Sequence, residues 1–286
     1  MKILTTLILI TCCMIAIFQC AGDPVVAELE NPLDPDNGNY IEPGFTAING
    51  LNPGSVLNNN TLSINWEGTS PDLLYWVSLT GSEMTAGGEA VWVFFDRETS
   101  LDVDYLNEGQ HTLRLKTQYT IDHSDTFVDS INFAIDALAP NSLWLYPTRI
   151  FADSNETFQV SLRTDEWSEE FISGSVGFEF SPNLVELVGV SEGGLVPTGS
   201  FFHEHNDDYL SSGLLQIDFA TLSDPPVVVS GSGAVLAFEF RLLSDVHGDE
   251  IITLSDNSEL RNSENLSIPI TNHGDGGIYS IKISPR

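Results

Sequence analysis

Phe178-Glu179-Phe180-Ser181-Pro182-Asn183-Leu184-Val185-Glu186-Leu187-Val188-Gly189-Val190 is the stretch whose reading decides the fold. Val176, Phe178 and Phe180 alternate with Ser175, Gly177 and Glu179, the two-residue period of a strand with one buried face. Pro182-Asn183 then reads as a turn, because proline presets φ and asparagine tolerates turn conformations. A second apolar stretch follows at once. Strand, tight turn and strand is an antiparallel signature, not a helical one.

The same period recurs on both sides. Phe158, Val160 and Leu162 alternate with Gln159, Ser161 and Arg163. Leu215, Ile217 and Phe219 alternate with Gln216, Asp218 and Ala220. Leu236, Phe238, Phe240 and Leu242 form a longer set, approached through Gly231 and Gly233, which permit positive φ. The last strand is read at Gly277 to Ile283. About nine strands over residues 140–286 predict a two-sheet jelly roll.

Upstream, Leu62, Ile64 and Trp66 share one face of a strand, and His111 to Lys116 and Ser130 to Ile135 alternate. Leu74 to Leu79 and Val91 to Phe95 read as buried runs. Turn signals at Asn52-Pro53-Gly54, Ala86-Gly87-Gly88 and Asn107-Glu108-Gly109 separate them. Six or seven short strands over residues 45–138 predict a second sandwich. The segment Leu106 to Leu113 resembles the E–F corner of immunoglobulin- or fibronectin-like domains. Pro140 marks the boundary, so the expected fold class is all-β with two sandwiches.

The first twenty residues read as an address. Lys2 is followed by an uncharged run from Ile3 to Phe18, too short for a span of about 20 residues. The three cysteines, Cys12, Cys13 and Cys20, all lie here, so the folded part has no disulfide, thiolate metal site or cysteine nucleophile. Ile17-Phe18-Gln19-Cys20 resembles a bacterial lipoprotein box, with Gln19 where that family has Gly, Ala or Ser. The resemblance implies lipidation of Cys20 and a membrane anchor; ordinary cleavage nearby is the rival. Residues 21–44 hold six acidic residues, four prolines and no basic residue, and read as an extended spacer.

Charge narrows the function. Ten Lys+Arg stand against 41 Asp+Glu, a net charge of −31. Nucleic acid is excluded as a partner because no basic patch can neutralise phosphates. No cofactor loop and no Gly-x-Ser-x-Gly elbow is present, and adjacent carboxylates are expected by chance, so no catalytic residue is assigned. His203-Glu204-His205-Asn206-Asp207-Asp208 reads as a solvated acidic loop rather than a metal site, and Asp34-Pro35-Asp36-Asn37-Gly38 as a turn rather than a calcium loop. Trp66 falls in the core phase of its strand. Trp167, in the polar loop Asp165 to Glu170, is the exposed tryptophan expected if the protein adheres to polysaccharide.

Three elements carry a resemblance to cohesins. They are the stretch Phe178 to Val190 with the glycine-rich loop Ser191-Glu192-Gly193-Gly194, the glycine-led strand Val229 to Phe240, and the closing Gly276-Gly277-Ile278-Tyr279-Ser280-Ile281. The match covers about residues 142–284. It implies an exported, non-catalytic interaction protein that binds a dockerin-type partner, with the calcium carried by that partner. A carbohydrate-binding module is the alternative within the same broad fold. The resemblance assigns the contact to one sheet. Alternation places Ser173, Ser175, Gly177 and Glu179, with Gln216, Asp218 and Ala220, on its outward side.

Overall fold

The computed structural model describes residues 33–80, 85–86, 89–120, 126–205, 207–244, 250–271 and 280–284. The fold is all-β, with one short 3₁₀ turn at Asp207–Ser212. Among the described residues no helix is long and apolar enough to cross a membrane. The signal, Cys20, residues 21–32 of the spacer, and Gly276 to Tyr279 of the closing element lie outside the described residues.

The N-terminal half holds β1 (Phe45–Asn49), β2 (Val56–Leu57), β3 (Leu62–Gly68), β4 (Leu74–Leu79), β5 (Thr85–Ala86), β6 (Glu89–Ala90), β7 (Val93–Asp96), β8 (Ser100–Val103), β9 (Gly109–Gln118) and β10 (Phe127–Ile135). Sheet β1-β3-β8 faces sheet β2-β10-β9-β4-β7, while β5 and β6 form a separate hairpin. The alternating residues Leu62, Ile64, Trp66, Leu113, Leu115, Ile131 and Phe133 meet in one core. Trp66 is buried, as its phase predicts.

Two readings change in this half. The run Val91 to Phe95 is not buried: Val93 and Phe94 are 37% and 46% exposed. The reason is position, since β7 is the edge strand of its sheet, and only Phe95 packs on the core. The second change is in the spacer. Leu33 and Tyr40 pack against the core, Tyr119 Oη donates to the Ile41 carbonyl at 2.7 Å, and Thr69 Oγ1 donates to that of Glu42 at 2.7 Å. Residues 33–44 therefore lie on the sandwich rather than extending from it. Asp34 and Asn37 spend their side-chain oxygens on the backbone N–H groups of Asp36 and Asn39, as turn residues do.

The C-terminal half holds β11 (Ser142–Tyr146), β12 (Arg149–Phe151), β13 (Thr157–Asp165), β14 (Ser173–Phe180), β15 (Val185–Glu192), β16 (Phe201–His205), β17 (Leu214–Thr221), β18 (Gly233–Leu242), β19 (Glu250–Leu254), β20 (Glu259–Arg261), β21 (Ser267–Ile268) and β22 (Ser280–Ser284). Nine of these have five residues or more. The other three are too short to show a period. One sheet runs β11-β13-β18-β15, the other β12-β22-β19-β14-β17-β16 with β20 and β21 beside β14. Val160, Leu162, Val176, Phe178, Ile217, Phe219, Phe238 and Phe240 fill the space between them. Phe178 and Phe238 meet edge to face across the sheets, centroids 4.8 Å apart.

Trp167 joins this core. It is 2% exposed and packs edge-on against Phe171, so the expectation of an exposed ring in a polar loop is overturned. Its neighbours Glu166 and Ser168 keep their backbone N–H groups on Ser232 Oγ and Asn141 Oδ1. The loop is tied down on both sides while the indole turns inward.

Candidate functional site

The outward face of β14 and β17 begins from the turn before β17. Gly213 has φ +79°, and a Cβ there would lie 2.1 Å from the Phe180 carbonyl oxygen. Only glycine fits, and its position sets the register of Leu214 and everything beyond. Ser175 then lies opposite Asp218, Gly177 opposite Gln216, and Ser173 opposite Ala220. Directly opposite residues share a face, so the predicted set is brought together.

A hydrogen-bonded chain crosses the two strands. Gln216 Nε2 donates to Ser175 Oγ at 2.5 Å, and Ser175 Oγ donates to Asp218 Oδ1. Ser175 thus has one orientation, and Asp218 keeps its second oxygen outward. Glu179, Gln216 and Asp218 are exposed, Ser173 and Ser175 half-buried. Gly177 is buried, because Ser255 and Gln216 close over it; a Cβ would come within 3.0 Å of the Ser255 Cβ. Here the face sinks into a pocket of about 480 Å³, lined by Gly177, Glu179, Leu214, Gln216, Ser255 and Asn257 among others.

Register also adds residues that strand-by-strand reading misses. On β16, Glu204 lies opposite Asp218 and Phe202 opposite Ala220. On β20, Glu259 lies opposite Ser175 and Arg261 opposite Ser173. Arg261 is bound to Glu259 at 2.7 Å. Among the described residues the face therefore carries the carboxylates of Glu179, Asp218, Glu204 and Glu259 together with Arg261, which is already paired. Phe202 and Leu214, 50% and 46% exposed, add apolar surface. The signal for Glu204 was the alternation Phe202, Glu204 beside buried Phe201; β20, at three residues, offered none.

Glu192 anchors the strand that brings Phe202 and Glu204 here. Its oxygens accept the backbone N–H groups of Gly199 at 2.7 Å and Phe201 at 2.9 Å. These bonds hold its carboxyl below the usual range. His203 turns away from the face, with Nδ1 buried and unpartnered. Among the described residues no cluster of three His, Cys, Asp or Glu side chains has the geometry to hold a metal. The arrangement offers acceptors and shallow apolar contact on a flat surface, which suits recognition of hydrogen-bond donors and cations.

No protein-family model matches the chain, and no curated protein matches it. Solved structures similar to it are cohesins. The OlpA cohesin in complex with a dockerin, from Clostridium thermocellum, shares 11% identity at a TM-score of 0.41, over 51% of this chain and 98% of that one. The sixth cohesin of scaffoldin B from Acetivibrio cellulolyticus, in complex with a Cel5 dockerin mutant, shares 12% at 0.42, over 51% and 98%. A non-cellulosomal cohesin from the archaeon Archaeoglobus fulgidus shares 14% at 0.34, over 50% and 84%.

Proposed function

We propose that this is an exported, non-catalytic interaction protein whose C-terminal sandwich binds a dockerin-type module through the outward face of β14 and β17. The observation that carries this reading is the fixed chain Gln216, Ser175, Asp218 at the centre of a face ringed by carboxylates. Such a face complements a helix bearing Ser, Thr, Lys or Arg. The calcium belongs to the partner. Cys20, when lipidated, tethers the chain at the cell envelope. The N-terminal sandwich, residues 45–138 and Ig-like in its reading, lifts the binding sandwich, residues 140–286, away from the surface. Each sandwich folds as its own domain.

The experiment is titration of the chain with a calcium-loaded dockerin. Asp218→Ala and Ser175→Arg leave folding intact, since surface substitutions cost under about 0.5 kcal/mol. Both weaken binding, because truncation at an interface centre costs about 2 kcal/mol or more. Wild-type affinity in both variants removes the face from the interface. Failure of every dockerin tested to bind removes the partner class.

A further inference from the structure

Lysine and arginine are scarce here, ten in the whole chain, so an unpaired pair of them is conspicuous. Arg149, Arg241 and Arg261 each sit in an ion pair with Asp104, Glu186 and Glu259. Lys116 does not. Among the described residues it meets two indoles, its Nζ 4.3 Å from the ring centroid of Trp76 and 5.5 Å from that of Trp92. Arg114, two residues away on β9 and so on the same face, is exposed and pairs with no carboxylate among the described residues.

Register joins these groups into a row across four strands. Val128 on β10 lies opposite Lys116, Lys116 opposite Trp76 on β4, and Trp76 opposite Phe94 on β7. The rings of Trp76 and Phe94 are 5.0 Å apart. Phe94 and Val128, at the two ends, are 46% and 50% exposed. Alongside runs a second row, Ser130, Arg114 and Ser78, of which Ser130 and Arg114 are exposed and Ser78 is buried.

The shape and the charge select the occupant. A protein partner needs about 800 Å² per side with an apolar centre, whereas this apolar row is one residue wide and borders on the polar Arg114 and Ser130. A sugar polymer is narrow, with C–H ring faces that stack on aromatic rings and hydroxyls that can meet the exposed Ser130. An ammonium held by indoles is only partly stabilised by them and can still take an anionic partner. The chain's acidic remainder is screened beyond about 8 Å at physiological salt, while contacts at the row are not. We propose that this outer face of the five-stranded sheet binds an acidic polysaccharide, its rings stacking on Phe94 and Trp76 and its carboxylates meeting Lys116 and Arg114. This site is separate from the β14–β17 face and does not depend on its reading.

The test is calorimetric titration of the full chain with polygalacturonate fragments, with soluble xylan and cellulose as neutral probes. Polygalacturonate binds, and binding weakens as salt rises. Lys116→Gln and Phe94→Ala each weaken it by about tenfold or more, with melting temperatures unchanged, and Asp218→Ala has no effect. The proposal is overturned by no binding of polygalacturonate, by equal binding in the two variants, or by neutral glycans binding as tightly. It is also overturned if the chain is a dimer that Phe94→Ala dissociates, since a second copy then occupies the face.

Discussion

Asn107 Oδ1 accepts the backbone N–H of Thr148 at 2.8 Å and lies 3.0 Å from its hydroxyl, which donates to the Tyr105 carbonyl. Asn107 belongs to the N-terminal half and Thr148 to the C-terminal half. Both are buried, Thr148 completely. The contact is flanked by the ion pair of Asp104 with Arg149. On the other side, Glu108 Oε1 accepts the N–H groups of Ala137 and Leu138 at 2.9 and 3.1 Å. Three consecutive regions of one loop thus hold the connection between the sandwiches.

Asn107→Ala removes the acceptor and strands the buried backbone N–H of Thr148, whose hydroxyl keeps the Tyr105 carbonyl. Such a group costs about 1–3 kcal/mol when left unpaired. The variant is expected to lose that much stability in urea denaturation, and to show faster amide exchange at Thr148. Unchanged exchange there rules out the coupling.

Glu108 provides a pH dependence. Burial, followed by repulsion from Asp165 and Asp136, pushes its carboxyl up to about 7 from 4.5, against the lowering effect of its two backbone hydrogen bonds. Between those values the folded chain holds a proton that the unfolded chain has released. The resulting stabilisation is complete below pH 4.5 and is lost as pH rises to 7. Asp165 is shifted the same way, chiefly by burial. Melting temperature is therefore expected to rise between pH 8 and pH 5, and Glu108→Gln, which keeps an acceptor but not the charge, flattens the profile. An equally steep profile in the variant assigns the effect to other groups.

Gly213→Ala places a Cβ against the Phe180 carbonyl at a positive φ. The strain costs about 1–3 kcal/mol and shifts the start of β17. If the β14–β17 face is the proposed binding face, affinity falls along with stability, in contrast to Asp218→Ala, where only affinity falls. Wild-type melting in Gly213→Ala contradicts the geometry of this turn.

Cys20→Ser tests the anchor. If the cysteine carries lipid, the variant moves from the membrane fraction to the soluble one. Membrane association equal to that of the wild type excludes Cys20 as the point of attachment.

Much of this was legible as alternation. Val176, Phe178, Ile217 and Phe219 are inside, and Ser175 and Asp218 meet on the outside, because a pleated strand sends neighbours to opposite faces whatever the rest of the chain does. Sheet position was not legible in the same way. The run Val91 to Phe95 has core composition, yet its strand became an edge, and an edge has only one packed neighbour. Trp167 shows the converse. Its polar neighbours are satisfied by Ser232 and Asn141, from segments distant in sequence, while the large ring enters the core. Glu204 and Glu259 reach the candidate site through pairings between distant segments, which no local window contains.

The parallel pairing of β12 with β22 joins Arg149, Ile150 and Phe151 to Lys282, Ile283 and Ser284. The two partners are separated by nearly the whole C-terminal half, so loop-closure entropy must be met before their contacts form. In the N-terminal half the longest closure, the parallel pairing of Val56 and Leu57 with Ala134 and Ile135, spans fewer residues, and β9 with β10 closes locally. During synthesis the first sandwich can assemble as soon as its own residues are free. The second waits until residue 284 has been made. Its half-built sheet would meanwhile expose β19 as an unpaired edge, since β22 is the neighbour that covers it. A chain halted at residue 270 is accordingly expected to show a folded first sandwich and an aggregation-prone second. A cooperative second unfolding transition in that truncated chain rules out this order of assembly.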